Sequence, residues 1–223
     1  GSFSTQQAAH EAYLTACKII APDSTVTLMD YQTSDILSFE KWVILINFRD
    51  NHIYLGKPIY VRPKFFYYYL TPDHVLKFDS DDLFYYSSHK IMVRGNHYFV
   101  ADYGMQVSIL SRYGIKSYAV PGIDYRFLNN DTSDFRRENL EIINIFHGVR
   151  TIFQKGKYKY YVRIHINGYF HVGTYNGMLH AAIAYNKAVD VLHKHGLTKN
   201  FSLNYIDSIT PREYADIYSQ VKI

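Results

Sequence analysis

Residues 157–166 constrain the fold more than any other stretch, because their side chains alternate between two chemical classes. A strand places alternate side chains on opposite faces. One face would carry Tyr158, Tyr160, Val162, Ile164 and Ile166. The other would carry Lys157, Lys159, Tyr161, Arg163 and His165. The first set is suited to burial, whereas the second is cationic and aromatic, which a solvated sheet does not need and a phosphate backbone would attract. The pattern therefore predicts a strand with one buried face and one basic face.

Two turn signals predict a further strand on each side. Lys155-Gly156 precedes the alternating segment and Asn167-Gly168 follows it, and Asn-Gly is the strongest short-range hairpin signal. We therefore predict a three-stranded antiparallel meander whose register the pattern does not fix. The outer strands and the first turn would extend the basic face with Arg150, Ile152, Gln154, Lys155, Tyr169 and His171.

A helix is predicted to cover the apolar face of the meander. Its apolar residues follow the i, i+3, i+4, i+7 spacing of one stripe. They are Met178, Ala181, Ala182, Tyr185, Ala188, Val189 and Leu192. Asn176 is predicted as the N-cap and Gly196 as the residue after the last turn. By pattern alone, an ordinary αβ mini-domain with a solvated face explains the segment equally well.

Residues 147–201 resemble the AP2/ERF-type DNA-binding domain at five places, in the family's order. The matching segments are Gly148-Val149-Arg150, Gly156-Lys157-Tyr158 with Arg163, Gly173-Thr174-Tyr175, residues 181–188 (AAIAYNKA), and Asn200-Phe201. The resemblance implies a three-stranded sheet whose exposed face enters the major groove of double-stranded DNA.

Carried over by position, the resemblance assigns base and phosphate contacts to the exposed strand residues. Arg150 and Arg163 match arginines of the family. Tyr161 stands where the family often has Glu, and Tyr169 and His171 stand where it has Arg and Trp. Ile152 and Gln154 replace a further Arg and Trp. We therefore expect DNA affinity without the sequence preference of the plant proteins.

Charge is distributed unevenly along the chain. The 223 residues carry a formal net charge of +4. Residues 1–144 hold 14 Lys and Arg against 16 Asp and Glu, whereas residues 145–199 hold 8 against a single Asp. This asymmetry indicates a polyanion contact in the C-terminal part.

Composition narrows the class of protein. A hydrophobic content of 48% is typical of a globular chain. The lone Cys17 excludes an internal disulfide framework and a cysteine-based zinc finger within one chain. No run of 18 apolar residues and no signal-like N-terminus occurs, so we expect an intracellular protein, cytoplasmic or nucleoid-associated, without membrane contact.

Residues 1–90 are predicted to form a strand-rich α+β region of unknown role. Ser4 would cap a helix that ends near Ile20. Strands are predicted at Val26–Tyr31, Trp42–Phe48, His52–Leu55, Ile59–Val61 and Phe65–Leu70. The aromatic run of residues 65–69 is expected to be buried on both faces or to lie in a subunit interface. Asp79, Asp81 and Asp82 match no calcium-loop spacing and are interpreted as a polar loop.

Residues 129–140 resemble the end of an HNH nuclease module. The segment reads NNDTSDFRRENL, and such a module often precedes an AP2-like domain in homing endonucleases. An HNH site needs a His to activate water and further side chains to hold a divalent metal. Arg126-Phe127 occupies the paired-histidine position, and neither residue can act as that base at neutral pH.

Some polar residues of the HNH-like module are nevertheless retained. Asp131, Asp134 and Asn139 remain, with Asn139 interpreted as a structural turn residue. His97 or His147 could in principle replace the lost histidines, although no spacing indicates it. Arg126, Arg136 and Arg137 could add phosphate contacts. The sequence therefore favours a non-catalytic protein with no metal and no cofactor.

The last segment is predicted to be a short helix that packs back onto the body. Thr210-Pro211-Arg212-Glu213 combines a capping box with Pro at the first helical position, and the helix would run to about Gln220. The predicted organisation is thus residues 1–90, an HNH-like module at 91–144, an AP2-like domain at 145–206, and a C-terminal helix at 207–223.

Three functions remain open at this point. The favoured one is a sequence-specific, non-catalytic regulator or accessory factor of a phage or mobile element, derived from an HNH–AP2 endonuclease. The second is an active nicking or homing endonuclease, which would require a divalent metal. The third is a protein whose basic face binds a protein partner. A homodimer is compatible with each of them.

Overall fold

The chain folds into two compact units in a computed structural model that describes residues 1–117 and 119–223. Unit 1 consists of Gly1–Tyr113 and Phe127–Glu141, and unit 2 consists of Gly114–Arg126 and Ile142–Ile223. Both α-helices and antiparallel sheets are present, as predicted. Residues 91–144, expected to form one module, are divided between the units, whereas residues 145–223 lie together in unit 2.

The elements of the first 113 residues belong to unit 1. The α-helices are α1 (Gln6–Ile20), α2 (Phe39–Asn51) and α3 (Leu83–Ser88). The strands are β1 (Ile59–Val61), β2 (Phe65–Thr71), β3 (His74–Asp79), β4 (Met92–Arg94), β5 (His97–Asp102) and β6 (Met105–Ser108). Strands β1–β2–β3 and β4–β5–β6 form two three-stranded antiparallel sheets. Short 3₁₀ turns lie at Leu28–Asp30, Ser80–Asp82 and Ile109–Tyr113, and a further one lies at Arg137–Asn139 in the second segment of unit 1.

The remaining elements follow residue 124. Strands β7 (Tyr125–Phe127) and β8 (Leu140–Ile142) pair in a two-stranded sheet. Unit 2 contains β9 (Val149–Gln154), β10 (Lys157–His165), β11 (Tyr169–Tyr175), α4 (Met178–Lys194) and α5 (Pro211–Gln220). In the part of the chain that the structure describes, no helix is both long enough and apolar enough to cross a membrane.

Helix α2 replaces a predicted strand, and this corrects the strand-rich expectation for residues 1–90. The run from Trp42 to Phe48 was predicted as a strand, but it is helical and Ser38 caps its start by accepting a hydrogen bond from Lys41 N. The buried residues of α2 leave no polar stripe in this run, so its periodicity cannot distinguish helix from strand. The amide of buried Asn47 then fixes the chain after the helix, donating to Ile53 O at 2.8 Å and accepting from Val61 N at 2.9 Å.

The other predictions for residues 1–90 were partly correct. Helix α1 begins one residue after its N-cap Thr5, rather than after a Ser4 cap, and ends at Ile20 as predicted. Of the predicted strands, β1 and β2 are present, whereas the segment 26–31 contains only a 3₁₀ turn and residues 52–55 form no strand. His52 terminates α2 with a φ of 56°, which prevents a strand from starting there. Strand β2 is fully buried on one face only, at Phe66 and Tyr68.

The core of unit 2 lies between the meander and α4, as predicted. Its buried members are Val149, Val162, Ile164, Ala181, Tyr185 and Val189. Gly177, and not Asn176, is the N-cap of α4, while Gly196 follows the helix with a φ of +86°. Alanines at the contact let the helix lie close against the sheet, which holds the opposite face of the sheet outward.

Helix α5 has the predicted capping box and packs on α4. Thr210 accepts from Glu213 N at 3.3 Å, and the Glu213 carboxylate accepts from Thr210 N at 2.8 Å. Lys187 of α4 donates to the carbonyl of Tyr218 in α5 at 2.6 Å and to that of Val221, the residue after α5, at 2.8 Å. These bonds attach the C-terminal helix to α4.

Candidate nucleic-acid interface

Strands β9 and β10 place the predicted contact residues on one face. In their antiparallel register Arg150 pairs with Tyr161, Ile152 with Lys159, and Gln154 with Lys157. Paired residues in an antiparallel ladder point to the same side of the sheet. The six side chains therefore share the face opposite α4, and we call the solvent side of β9–β11 the outer face.

Strand β11 adds its residues through a bulge. His165 pairs with Tyr169 and Arg163 with His171, but the register shifts between Val162 and Arg163. As a result Tyr161 pairs with Thr174, which joins the outer face although the strict alternation did not assign it there. The extra residue is Val172, and a bulge of this kind has no sequence signal beyond the neighbouring Gly173.

Ring contacts order the side chains at the centre of the outer face. The rings of Tyr161 and His171 stack at 4.4 Å with planes inclined by 11°. His171 Nε2 lies 3.1 Å from Thr174 Oγ1, which fixes the imidazole orientation. The Arg163 guanidinium lies over the Tyr169 ring at 4.0 Å from its centroid, an arrangement that leaves the N–H edge available to a ligand.

The outer face is positively charged without compensation. No Asp or Glu occurs between residues 147 and 189. Among the described residues, neither Arg150 nor Arg163 forms an ion pair with a carboxylate, and the same holds for Lys157. Lys155 occupies the hairpin turn with a φ of 51° and extends the row of cations to the tip. Such a surface attracts polyanions.

One prediction, the burial of Tyr158, is wrong at the tip of the β9–β10 hairpin. Tyr158 was predicted to be buried, but it is 67% exposed, as is Phe153 at 68%. The two rings contact each other at 5.2 Å, on the side of the sheet that faces α4 elsewhere. The core under the helix includes Tyr160 but not these two residues, so the hairpin extends beyond its cover.

His165 and the start of the meander are held by residues outside it. Lys199 donates to the carbonyls of His165 and Ile166 at 2.9 and 3.0 Å, which attaches the chain after α4 to the turn before β11. The backbone of His147 pairs with the Asn204 amide, at 2.6 Å from His147 N and 3.0 Å from His147 O. Burial lowers the pKa of His147, whose ring packs against Tyr185.

One end of the outer face borders a cavity of about 250 Å³ inside unit 2. Arg150, Arg163 and Tyr169 line both this cavity and a shallow depression on the open part of the face. The remaining walls include Ile115, Ile123, residues 144–149 and Tyr185. Arg150 is exposed and Arg163 is half-buried, so neither arginine is closed off from solvent.

The loop of residues 129–140 is held by its own polar side chains. The Asn139 amide donates to Asp134 O at 2.8 Å, and its oxygen accepts from Asn129 N at 2.8 Å, as expected for a structural residue. Asp134 accepts from Arg136 at 2.7 and 2.9 Å and lies 3.8 Å from Lys77. Burial alone would raise the pKa of Asp134, but these partners outweigh it and hold the pKa below its usual value.

Several charged residues in and near the HNH-like segment already have partners within the protein. Arg136 is committed to Asp134 and Glu138, and Arg137 lies over the Tyr113 ring at 5.5 Å. Asp82, in the acidic cluster, is buried and accepts from Arg112 at 2.8 Å, while Asp79 accepts from Arg137 N. No group of three or more His, Cys, Asp or Glu side chains suited to a metal occurs among the described residues.

Comparison of the chain with protein-family models, with curated proteins and with solved structures found no match.

Proposed function

We propose that this chain is a sequence-specific, non-catalytic protein that binds double-stranded DNA through the outer face of β9–β11. The observation that supports this most directly is the composition of that face. Three adjacent strands present cations and aromatic rings on one side, and no carboxylate lies among them. DNA carries a dense row of phosphates, and neutralising them supplies most of the non-specific affinity.

The dimensions of the sheet fit a major groove. Neighbouring strands lie about 4.8 Å apart, so three strands span about 10 Å from the first to the third. The major groove is about 12 Å wide and exposes a distinct pattern of donors and acceptors for each base pair. A sheet of this width can enter the groove with its side chains directed at the base edges.

Different residues of the outer face would serve different purposes. Arg150 and Arg163 would read guanine, since a guanidinium can donate two hydrogen bonds to its O6 and N7 atoms. Lys155, Lys157 and Lys159 would contact phosphates and set the register. Aromatic and remaining polar contacts would come from Ile152, Gln154, Tyr161, His165, Tyr169 and His171.

Descent from an HNH–AP2 endonuclease is part of the proposal. It is supported by the order of the two motifs along the chain and by Arg126-Phe127 at the paired-histidine position. A regulator or accessory factor of a phage or mobile element fits a protein that has kept the DNA-binding part and lost the histidines.

The proposal is tested by comparing Arg163→Ala with Lys157→Ala after selecting bound fragments from a random duplex library. We expect Arg163→Ala to weaken binding by about 1–3 kcal/mol and to relax preference at one base pair. Lys157→Ala should weaken all sequences alike, because a phosphate contact carries no sequence information. Fluorescence anisotropy on the selected duplex and on a scrambled one separates the two effects.

Two outcomes would overturn the proposal. Equal losses for both variants on every duplex would contradict base reading by Arg163. Absence of any DNA shift at low salt would instead favour a protein partner for the outer face. Nicking of supercoiled plasmid with magnesium or manganese, abolished by a chelator, would contradict the non-catalytic assignment.

A further inference from the structure

The cavity at the end of the outer face has no role in DNA binding as proposed. It lies within unit 2 and encloses about 250 Å³. An apolar protein cavity of about 150 Å³ already accepts benzene. The space is therefore sufficient for one aromatic ring with a short substituent, and too small for a peptide or a base pair.

The charged side chains that line the cavity select for an anion. Lys116, Arg150 and Arg163 contribute positive charge, and Asp124 is the acidic residue in the lining. Both oxygens of Asp124 already accept hydrogen bonds, from Val120 N at 2.8 Å and from the Asn144 amide at 3.1 Å. The carboxylate is thus engaged by Val120 and Asn144, and the guanidinium groups are left to a ligand.

The rest of the lining selects for an apolar body. Ile115, Ile123, Ile142, Val149 and the Tyr185 ring form the walls. The Asn144 amide oxygen also accepts from Thr151 N and Oγ1, at 2.9 and 2.7 Å, so this polar group is satisfied within the protein. Apolar walls make a doubly charged phosphate costly to desolvate, whereas a singly charged carboxylate pairs with one guanidinium.

We propose that this cavity binds a small organic carboxylate with an aromatic or branched apolar body, and that its occupation weakens DNA binding. The second part rests on the proposed function. It follows because Arg150 and Arg163 line both the cavity and the open depression of the outer face. A guanidinium that pairs with a carboxylate inside the cavity is no longer available to guanine.

The ligand site is tested without DNA, by calorimetric titration of the full chain with benzoate and phenylacetate. Benzamide and phenylacetamide are the neutral controls of matched shape, and inorganic phosphate is the control for a simple anion. We expect at least one carboxylate to bind with a Kd below about 1 mM, as a ligand of this size allows, and the amides to bind at least about tenfold more weakly. Absence of saturable carboxylate binding, or equally tight binding of phosphate, would overturn the ligand class.

A cavity-filling variant locates the site. Ile123→Trp should abolish carboxylate binding while DNA affinity without ligand stays within about twofold, and Val120→Trp serves as a second variant should the first fail to fold. Carboxylate binding that survives both substitutions would place the ligand elsewhere and refute the assignment.

The coupling is measured separately, as the DNA affinity of the wild-type chain at saturating carboxylate. We expect the Kd for DNA to rise at least about fivefold in the wild type and to remain constant in the filled variant. Unchanged DNA affinity with confirmed carboxylate binding would refute the coupling alone. A chain that binds carboxylate but never DNA would refute the proposed function and leave the cavity assignment intact.

Discussion

Immediately before the first strand of the meander, Gly148 occupies a position that no other residue type fits. Its φ is +72°, and a Cβ built there would lie 2.3 Å from the Tyr185 ring and 2.7 Å from Arg163 O. Its carbonyl accepts from Arg163 N at 2.9 Å. A single glycine thus lets the backbone before β9 approach both the helix and the strand that carries Arg163. The first glycine of the sequence motif is therefore explained by packing, independently of any DNA contact.

We expect Gly148→Ala to destabilise the chain by more than about 2 kcal/mol. The left-handed conformation alone costs a non-glycine residue about 1–2 kcal/mol, and the overlap with Tyr185 adds to it. Urea denaturation measures the change as a shift in midpoint at constant slope.

Gly156→Ala is the matched control, because Gly156 has a φ of +75° but nothing within 4 Å of a built Cβ. It should cost only the conformational part, about 1–2 kcal/mol. Equal losses for the two variants would show that the contact with Tyr185 can relax.

Among the elements, α4 does more than cover the sheet, since its buried Asn186 also holds the chain that follows. The Asn186 side chain accepts from Asn204 N at 2.8 Å and donates to Asn204 O at 2.9 Å and to the Tyr214 hydroxyl at 3.1 Å. Asn204 in turn pairs with the backbone of His147. Helix α4, the segment before α5 and the entrance to β9 are thereby joined through two amides.

Asn186→Ala should destabilise unit 2 by about 2–3 kcal/mol, because it leaves the buried N–H and C=O of Asn204 without partners. Asn200→Ala, at an exposed position of the same segment, is the control and should change stability by less than about 0.5 kcal/mol. Thermal unfolding followed by circular dichroism measures both. A neutral Asn186→Ala would mean that water replaces the amide.

Helices and strands with one apolar and one polar face could be predicted from the sequence, whereas segments that are apolar on all sides could not. Apolar and polar residues alternate along β10, and the apolar residues of α4 form one stripe at helical spacing. Both periods are visible in the sequence, so the meander and its covering helix could be predicted. Helix α2 was misassigned because buried residues such as Trp42, Val43 and Ile44 leave no polar stripe at its start. The prediction that Tyr158 is buried was wrong, because the periodicity gives the face on which a residue lies but not how far the covering helix extends along the strand. The cavity beside Arg150 was missed because Ile115 and Ile123, which line it, are distant in sequence from the strands.

On the scale of the molecule, charge separates along the same division as the fold. Unit 2 holds 12 Lys and Arg against 5 Asp and Glu, whereas unit 1 holds 12 against 15. The net charge of +4 for the whole chain therefore conceals a basic unit and a mildly acidic one. An acidic unit 1 argues against DNA wrapping the entire protein and favours a contact restricted to unit 2.

The affinity for DNA should accordingly fall as the salt concentration rises. The steepness of that fall should depend only on the number of cations on the outer face. Five cations lie on or next to it: Arg150, Lys155, Lys157, Lys159 and Arg163. At about 0.9 per neutralised phosphate, log K against log salt should have a slope of about −4 to −5. Anisotropy titrations over a range of potassium chloride concentrations measure it.

Lys18→Ala, on helix α1 of unit 1, is the control and should leave the slope unchanged. A slope near zero would mean that the outer face does not neutralise phosphates, and a change with Lys18→Ala would mean that unit 1 takes part in binding.

The additional residue in β11, Val172, changes the side of the sheet to which the following side chains point. One strand can therefore contribute side chains to the solvent face at one end and to the helix-covered face at the other. Tyr160 pairs with Tyr175 on the helix side, while His165 pairs with Tyr169 on the solvent side. Without Val172, a strand of strict period two could place only one of these two tyrosines correctly. Either Tyr175 would point away from α4, or Tyr169 would point away from the solvent face that carries Arg163. Such an insertion also increases the local coiling of the ribbon. The shift in register should therefore curve the face that carries the arginines, and a curved face would suit the helical groove of the proposed ligand.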